Sequence, residues 1–390
     1  MKIIYIVYRE DNTLIFESQV LKYLNLAKKE HYVDLMLFRN HETFFKKKEV
    51  EEKISKYLTK FITLPSLPPL FEFQLKVDAL RLKHRVEKSY KKDEAIFIMC
   101  RGELSTYIAK KAFKNFENVH ILYDNRGLPI EELEMRNKSN LIYKLNKRVK
   151  GRAISFSKEN CNAYSFVTNN LRNYLISDYD YSRDKEYFII PTLADKEKLD
   201  QGVLNKIKNE INYDNNNFYV TYIGSVAAWQ SITKIFDVYL KVREKIKEAK
   251  LLILTNGEVN FPENITKEIQ ESIIIKSVKH DFVKYYLEIS NLGLVIRNNN
   301  IVNKVAAPTK ISEYITYGVP LLYSGKIGIL EDLENTHDRN HFIDISKNDW
   351  LEKVECINSE RNKKESNFDE TFSMKKQQKY LLNKIEKLFK

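Results

Sequence analysis

The feature that most constrains this chain is a repeated alternation of short apolar runs with helical patterns. Runs this short, buried on both faces and joined by helices, build an open parallel sheet covered on each side. In the N-terminal half, strands are expected at Lys2–Tyr8, 33–38, 94–100, 120–123 and 163–168. Helices are expected over 18–28, with Val20, Leu21, Leu24 and Leu26 as core, and over 103–113. Residues 187–195 look like a last strand leaving this part, and the polar stretch 196–217 reads as a linker. A second series follows, with strands at 218–223, 250–255, 273–276, 292–296 and 321–323. Its helices are expected over 233–247, 281–289 and 310–317, and an amphipathic helix over 372–389 closes the chain. No internal repeat of fixed period is present. A chain of 390 residues is too long for one ordinary core. The expectation is therefore α/β, with two doubly wound Rossmann-like domains, 1–195 and 196–373, the helix 374–390 packing back on the first. Two such domains would face a central cleft with the carboxyl ends of their strands, where ligands bind.

One segment carries more chemistry than the rest. From Val305 to Pro320 a loop turns into a short helix and stops at a glycine. Pro308 suits a helix start, Thr309 can cap it, Gly318 supplies the stop and Pro320 prevents resumption. Lys310 puts a positive charge in the first turn, against the helix dipole, an arrangement that makes sense opposite a bound anion. Glu313 sits one turn on, on roughly the same face. A nucleoside diphosphate with its phosphates at Lys310 and its ribose at Glu313 accounts for the set. A buried amphipathic helix with a surface lysine and glutamate accounts for it too.

Other candidates cluster at strand ends. Gly224-Ser225, with Trp229-Gln230 beyond, follows the first strand of the second series; it is either a phosphate-binding turn or an ordinary strand–helix turn. Ser277, Val278 and Lys279 lead into a helix with Asp281 as a possible cap, and backbone groups there could read a base edge. His280 reads as structural. Arg297 ends an apolar run, as a phosphate clamp or as half of a loop ion pair. In the first part, Asp124 and Arg126 end a strand, paired with each other or aimed at a polyhydroxylated substrate. The tips at Tyr8-Arg9-Glu10 and Arg101-Gly102 could converge on the same opening.

The charge balance is +12, from 65 Lys+Arg against 53 Asp+Glu, which favours anionic partners. No stacking or groove-reading motif is evident, so no nucleic acid is expected. Phosphate-loop, dinucleotide, nucleophile-elbow and zinc-protease motifs are absent. No Asp-x-Asp pair follows a strand end, Asp178 and Asp180 being placed in a tyrosine-rich loop; no metal is expected. Cys100, Cys161 and Cys356 are scattered and read as buried thiols in a reducing cytoplasm. No signal peptide or membrane-spanning run is recognised.

In order along the chain, several of these residues resemble family 4 retaining glycosyltransferases of the GT-B fold. They are Glu17-Ser18-Gln19; Tyr123-Asp124 with Arg126-Gly127; Tyr222 to Ser225 with Trp229-Gln230; His280-Asp281 with Tyr285-Tyr286; Arg297; and Pro308-Thr309-Lys310 through Glu313-Tyr314 with Gly318 to Pro320. The last looks like the donor-binding signature of enzymes that build bacterial surface polysaccharides. The resemblance implies transfer of a sugar from a nucleoside diphosphate sugar, expected to be a UDP-sugar, to a hydroxyl acceptor with retention and without a metal or cofactor. It implies that Glu313 holds the donor ribose, that Lys310 and Arg297 neutralise the diphosphate, and that Ser277–Lys279 form the base-reading loop. Where the family has an earlier glutamate, this chain has Val305.

A lipid-linked saccharide acceptor would suit a protein at the inner face of a cell membrane. The apolar loop 64–71 and two basic stretches, 76–88 with Arg81, Lys83, His84 and Arg85, and 138–152, suit an anionic membrane surface; solvated helices are the alternative. Two other functions share the architecture: a sugar-nucleotide epimerase, and a non-catalytic nucleotide-binding subunit.

Overall fold

A computed structural model describes residues 2–10, 20, 24, 31–40, 58–135, 140–225, 232–334, 341–360 and 373–388. Two compact units result, Met1–Pro191 with Met374–Lys390, and Thr192–Ser373. The expected helix over 18–28, the Glu17-Ser18-Gln19 motif and the Trp229-Gln230 pair lie outside the described residues, Val20 and Leu24 apart.

The first unit is built, in order, from β1 (Lys2–Tyr8), β2 (Tyr32–Arg39), β3 (Lys60–Pro65), α1 (Glu72–Ser89), β4 (Ile96–Arg101), α2 (Gly102–Ala112), β5 (Val119–Asn125), α3 (Pro129–Met135), α4 (Leu141–Asn160), β6 (Ala163–Phe166), α5 (Asn169–Tyr179) and β7 (Glu186–Ile189). Among the described residues these strands form a seven-stranded sheet in the order β3-β2-β1-β4-β5-β6-β7. Every pairing is parallel; Lys2 stands opposite Tyr32 on one side and Ile96 on the other. Residues Ile3 to Tyr8, Val33 to Arg39 and Ile96 to Arg101 are buried without a break, as strands covered on both faces must be. The order reverses between β1 and β4, which makes their carboxyl ends the switch point of this sheet.

The second unit contains α6 (Gln201–Glu210), β8 (Phe218–Ile223), α7 (Ile232–Lys245), β9 (Ala249–Leu254), α8 (Lys267–Gln270), β10 (Ile273–Lys276), α9 (His280–Ile289), β11 (Leu292–Ile296), α10 (Ile301–Lys304), α11 (Thr309–Thr316), β12 (Leu321–Ser324), α12 (Gly328–Glu334), β13 (Phe342–Asp344) and α13 (Trp350–Glu360). Its described strands form a parallel six-stranded sheet, β10-β9-β8-β11-β12-β13, reversing between β8 and β11. The closing helix α14 (Met374–Leu388) belongs to the first unit, where Lys384 Nζ lies 3.6 Å from Glu186 Oε1 of β7.

Several expectations are corrected. The stretch read as a linker contains α6, capped by Asp200, whose carboxylate accepts from Val203 N–H at 3.0 Å. Its Leu204 and Ile207 bury against Tyr285, Tyr286 and Ile289, so packing overrides the polar composition around them. The run 64–71 is not all loop, because Leu64 and Pro65 end β3. Asp178 lies in α5 and Asp180 is its left-handed C-cap, at φ 52°. Cys100 and Cys161 are buried, but Cys356 on α13 is exposed.

Candidate functional site

The switch point of the second sheet gathers most of the sequence candidates. Gly224 follows β8 with φ 148°, a backbone state that favours glycine, and its N–H donates to Leu254 O at 3.0 Å. The buried Tyr222 donates its hydroxyl to Ser225 O at 2.7 Å and so fixes the turn after the strand. Arg297 follows β11, the neighbouring strand. Its backbone is clasped by Ser324 at the end of β12: Arg297 N–H donates to Ser324 Oγ at 2.9 Å, and that hydroxyl donates to Arg297 O at 3.0 Å. Gly325, at φ 75°, lets the next loop pass, since a Cβ there would stand 3.1 Å from Arg297 O.

The Arg297 guanidinium is aimed by Asn303, whose Oδ1 accepts from Nη1 at 2.6 Å while its Nδ2 donates to Asn298 O at 2.8 Å. Arg297 Nε is buried and has no hydrogen-bond partner among the described residues. Burial pushes its pKa down to about 10; a guanidinium nonetheless keeps its proton in proteins, so the shift reads as an unpaid desolvation of the charge.

Helix α11 supplies the second cation. Its N-cap is Pro308, with no side-chain cap, so Thr309 is the first helical residue and not the cap expected from sequence. The C-terminus does follow expectation. Gly318, at φ 66°, donates to Ile315 O at 2.9 Å and Val319 N–H reaches back to Tyr314 O at 2.9 Å, a Schellman stop. Neither Lys310 nor Glu313 is on the surface; they are 8% and 9% exposed, which removes the reading of a surface pair. Lys310 Nζ lies 4.5 Å from the centroid of the Tyr222 ring, a cation–π contact. Burial, and then the Arg297 charge, push its ammonium pKa well below the ordinary lysine value, with Glu313 opposing. Two desolvated cations that repel each other form a site whose electrostatic strain an anion relieves.

Glu313 is held from outside its own helix. His280 Nε2, at the start of α9, lies 2.6 Å from Glu313 Oε1. Lys279 is the N-cap of that helix, so the expected cap at Asp281 is corrected: Asp281 lies in the first turn. Ser277 Oγ donates to Asn256 Oδ1 at 2.8 Å, tying the loop after β10 to the loop after β9, with Val278 half-buried between Ser277 and the exposed Lys279. Val305 is buried at the C-cap of α10. Tyr314 anchors α11 on the sheet through its hydroxyl, 2.8 Å from Thr221 O, and lies against Gly293, where a Cβ would stand 2.6 Å from its ring.

In the first unit, the tips of β1, β4 and β5 meet. Arg101 Nε lies 2.5 Å from Glu10 Oε2. Burial works against the Arg101 charge, yet Glu10, with Tyr5 and Asp124 behind it, raises its pKa above the ordinary arginine value. Asp124 accepts from Ser165 Oγ at 2.7 Å and Tyr5 Oη at 3.2 Å, and lies 3.6 Å from Arg126 Nη1, which donates to Ile190 O at 3.1 Å. The pairing of Asp124 with Arg126 is thus formed. Sequence gives Asn303 and Ser324 no site role, since they are ordinary loop and strand-end residues until the fold sets them beside Arg297, and Tyr222 enters only as part of the motif that runs to Ser225. Among the described residues, no group of three or more His, Cys, Asp and Glu is arranged to hold a metal ion.

Comparisons with known proteins agree with this architecture. No protein-family profile and no curated protein sequence matches the chain. Solved structures do. A glycosyltransferase of Rickettsia africae is similar at a TM-score of 0.68 and 14% identity, over 100% of this chain and 98% of that one. HepE of Anabaena, in complex with UDP, is similar at 0.64 and 12% identity, over 99% and 100%. A Listeria monocytogenes protein designated a UDP-N-acetylglucosamine 2-epimerase is similar at 0.57 and 13% identity, over 100% and 96%. The fold is GT-B, an α/β architecture of two units each built on a parallel sheet.

Proposed function

We propose that this chain is a retaining glycosyltransferase of the family 4 type that moves a sugar from a UDP-sugar to a hydroxyl acceptor, without a metal. The observation that carries the reading is a pair of cations at the switch point of the second sheet, the buried Lys310 and the half-buried Arg297 with its Nε sealed from solvent, each disfavoured by desolvation and Lys310 further by its neighbour. A diphosphate at this place favours the charged form of both. Gly224 shapes the turn that brings Ser225 to it, the first turn of α11 at Thr309 faces it with the N-terminal end of the helix, and Glu313, held by His280, takes the ribose. Ser277, Val278 and Lys279 read the base. HepE, of the same fold, is seen with UDP, with UDP-glucose, and with UDP and glucose, which supports a uridine donor.

In the transfer, the acceptor oxygen bonds to the anomeric carbon as the bond from that carbon to the diphosphate oxygen breaks. The diphosphate leaves with the electron pair, and the acceptor proton passes to one of its oxygens. Lys310 and Arg297 act on the charge that develops on the leaving group, where desolvated cations count for most. Asp124 and Arg126 serve the acceptor side, Asp124 as the group that positions Arg126. The acceptor is a lipid-linked saccharide in surface polysaccharide synthesis, met at the inner face of the membrane. No helix among the described residues is long and apolar enough to cross a membrane.

The test is release of UDP from UDP-sugars on addition of saccharide acceptors, with the anomeric configuration of the product read by NMR. Lys310→Ala and Glu313→Ala should each impair donor binding or turnover with the fold intact; unchanged affinity and rate in both would remove the assignment. The Listeria neighbour gives an epimerase as the second reading. Conversion of the sugar nucleotide without acceptor would select it.

A further inference from the structure

Helix α1 is apolar on two opposite faces. Leu75, Ala79, Leu82 and Val86 are buried in the first unit. On the other side Phe73, Val77 and Leu80 follow at i, i+4 and i+7, a spacing that puts them on one line, and they are 61%, 39% and 65% exposed. Phe71, its ring 5.9 Å from that of Phe73, carries the line into the preceding loop, where Leu67 is also exposed. Folding of this unit explains the first face and gives no reason for the second. A contiguous outward apolar patch of this kind marks an interaction surface.

Beside that line lies a groove of about 590 Å³ over α2, walled by α1 and α4. Its apolar side is Tyr107 and Phe156, with ring centroids 4.8 Å apart. Its cations are Lys76, Lys111, Arg148 and Arg152; Glu72 is the one acid among its lining residues, and Arg152 and Lys76 already hold it at 3.0 and 3.3 Å. Gly151 leaves open space where a side chain would stand. Helix α4 also begins with exposed apolar residues. Leu141 and Ile142 at its start are 70% and 58% exposed, and Arg148 and Arg152 follow Leu141 along the same line of the helix.

We propose that this face of the first unit docks on an anionic lipid bilayer, with the apolar line of α1 and the start of α4 entering the interface and the groove cations taking lipid phosphates. A soluble phosphate would need the cations alone and leaves Phe73, Leu80, Leu141 and Ile142 without a purpose. A bilayer presents both chemistries at once, apolar depth beneath an anionic surface, and basic residues flanking an apolar helix face are the pattern that meets it. The surface lies wholly within the first unit and is independent of the donor site.

The experiment is flotation of the full chain with vesicles of phosphatidylglycerol and phosphatidylcholine, against vesicles of phosphatidylcholine alone. The chain should float with the anionic vesicles, lose binding at high salt, and ignore the neutral ones; excess free glycerol phosphate should not displace it. Phe73→Ser/Leu80→Ser and Lys76→Glu/Arg148→Glu should each weaken vesicle binding about tenfold or more, with circular dichroism and UDP affinity unchanged. No flotation with anionic vesicles, equal flotation with neutral ones, or either double variant floating like the parent chain would overturn the proposal. A failure of the donor-site reading would instead appear as absent UDP binding in the parent chain, whatever the vesicles report.

Discussion

His280 Nε2 lies 2.6 Å from Glu313 Oε1, across 33 positions of sequence. The contact joins the first residue of one helix to the middle of another, so the direction of the Glu313 carboxylate is set from α9 and not by its own helix. In the proposed donor site this makes His280 a positioning residue. Glu313→Ala should weaken UDP binding by about ten- to a hundredfold, the range for a hydrogen bond to a charged group. His280→Ala should cost less, and the double variant no more than Glu313→Ala alone, since the histidine acts through the carboxylate. Calorimetric titration with UDP checks this; additive losses would refute the positioning role.

Lys310 is expected to trade stability for binding. Its folded-state pKa lies below the unfolded value, because burial and then Arg297 disfavour its charge in the folded chain. Lys310→Met removes that charge and keeps the volume. The variant without ligand should melt about 2–4 °C higher, if about 1 kcal/mol of strain is relieved, and should lose the stabilisation that UDP gives the parent chain. A thermal-shift series with and without UDP reads both. A lower melting point with a retained UDP response would contradict the reading.

The same residues show how far sequence reaches. Arg297 was visible because it ends an apolar run, and α11 because Pro308 and Gly318 bracket it; both signals are local. The partners that make them a site are not local. Tyr222 stands at the head of a motif that ends in Ser225, but nothing local places its ring under Lys310, 88 positions away. Asn303 looks like loop until α10 turns it back on Arg297. The GT-B architecture was legible for a related reason, since parallel strands buried on both faces leave unbroken apolar runs. Strands β3 and β13 and helix α6 were missed because they are short or mixed with polar residues, and their order comes from neighbours distant in sequence.

Gly293 is a packing requirement of the site. A Cβ there would meet the Tyr314 ring at 2.6–2.8 Å, closer than real contacts, and Tyr314 is fully buried with its hydroxyl bound to Thr221 O. The ring cannot swing away without losing that bond. Gly293→Ala should therefore destabilise the second unit by about 1–3 kcal/mol and disturb UDP binding through displacement of α11. Denaturant unfolding gives the first quantity and titration the second. A stability change below about 0.5 kcal/mol, the scale of an ordinary surface substitution, would show that the helix yields freely.

UDP binding should take up a proton at alkaline pH. The free site holds Lys310 with a depressed pKa, and a diphosphate beside it favours the charged form and raises that pKa. Between the two values the free chain has lost the proton and the complex has kept it, so affinity falls as pH rises through the free-state pKa. Phosphate groups finish ionising near about pH 6 and histidine near about 6.5, so measurements from about pH 7.5 upward isolate the lysine. Titrations in buffers of different ionisation enthalpy report the uptake directly. Lys310→Met should abolish it. Equal uptake in the variant, or an affinity that does not change up to pH ~10, near the ordinary lysine value of about 10.4, would mean that the phosphates do not sit at Lys310.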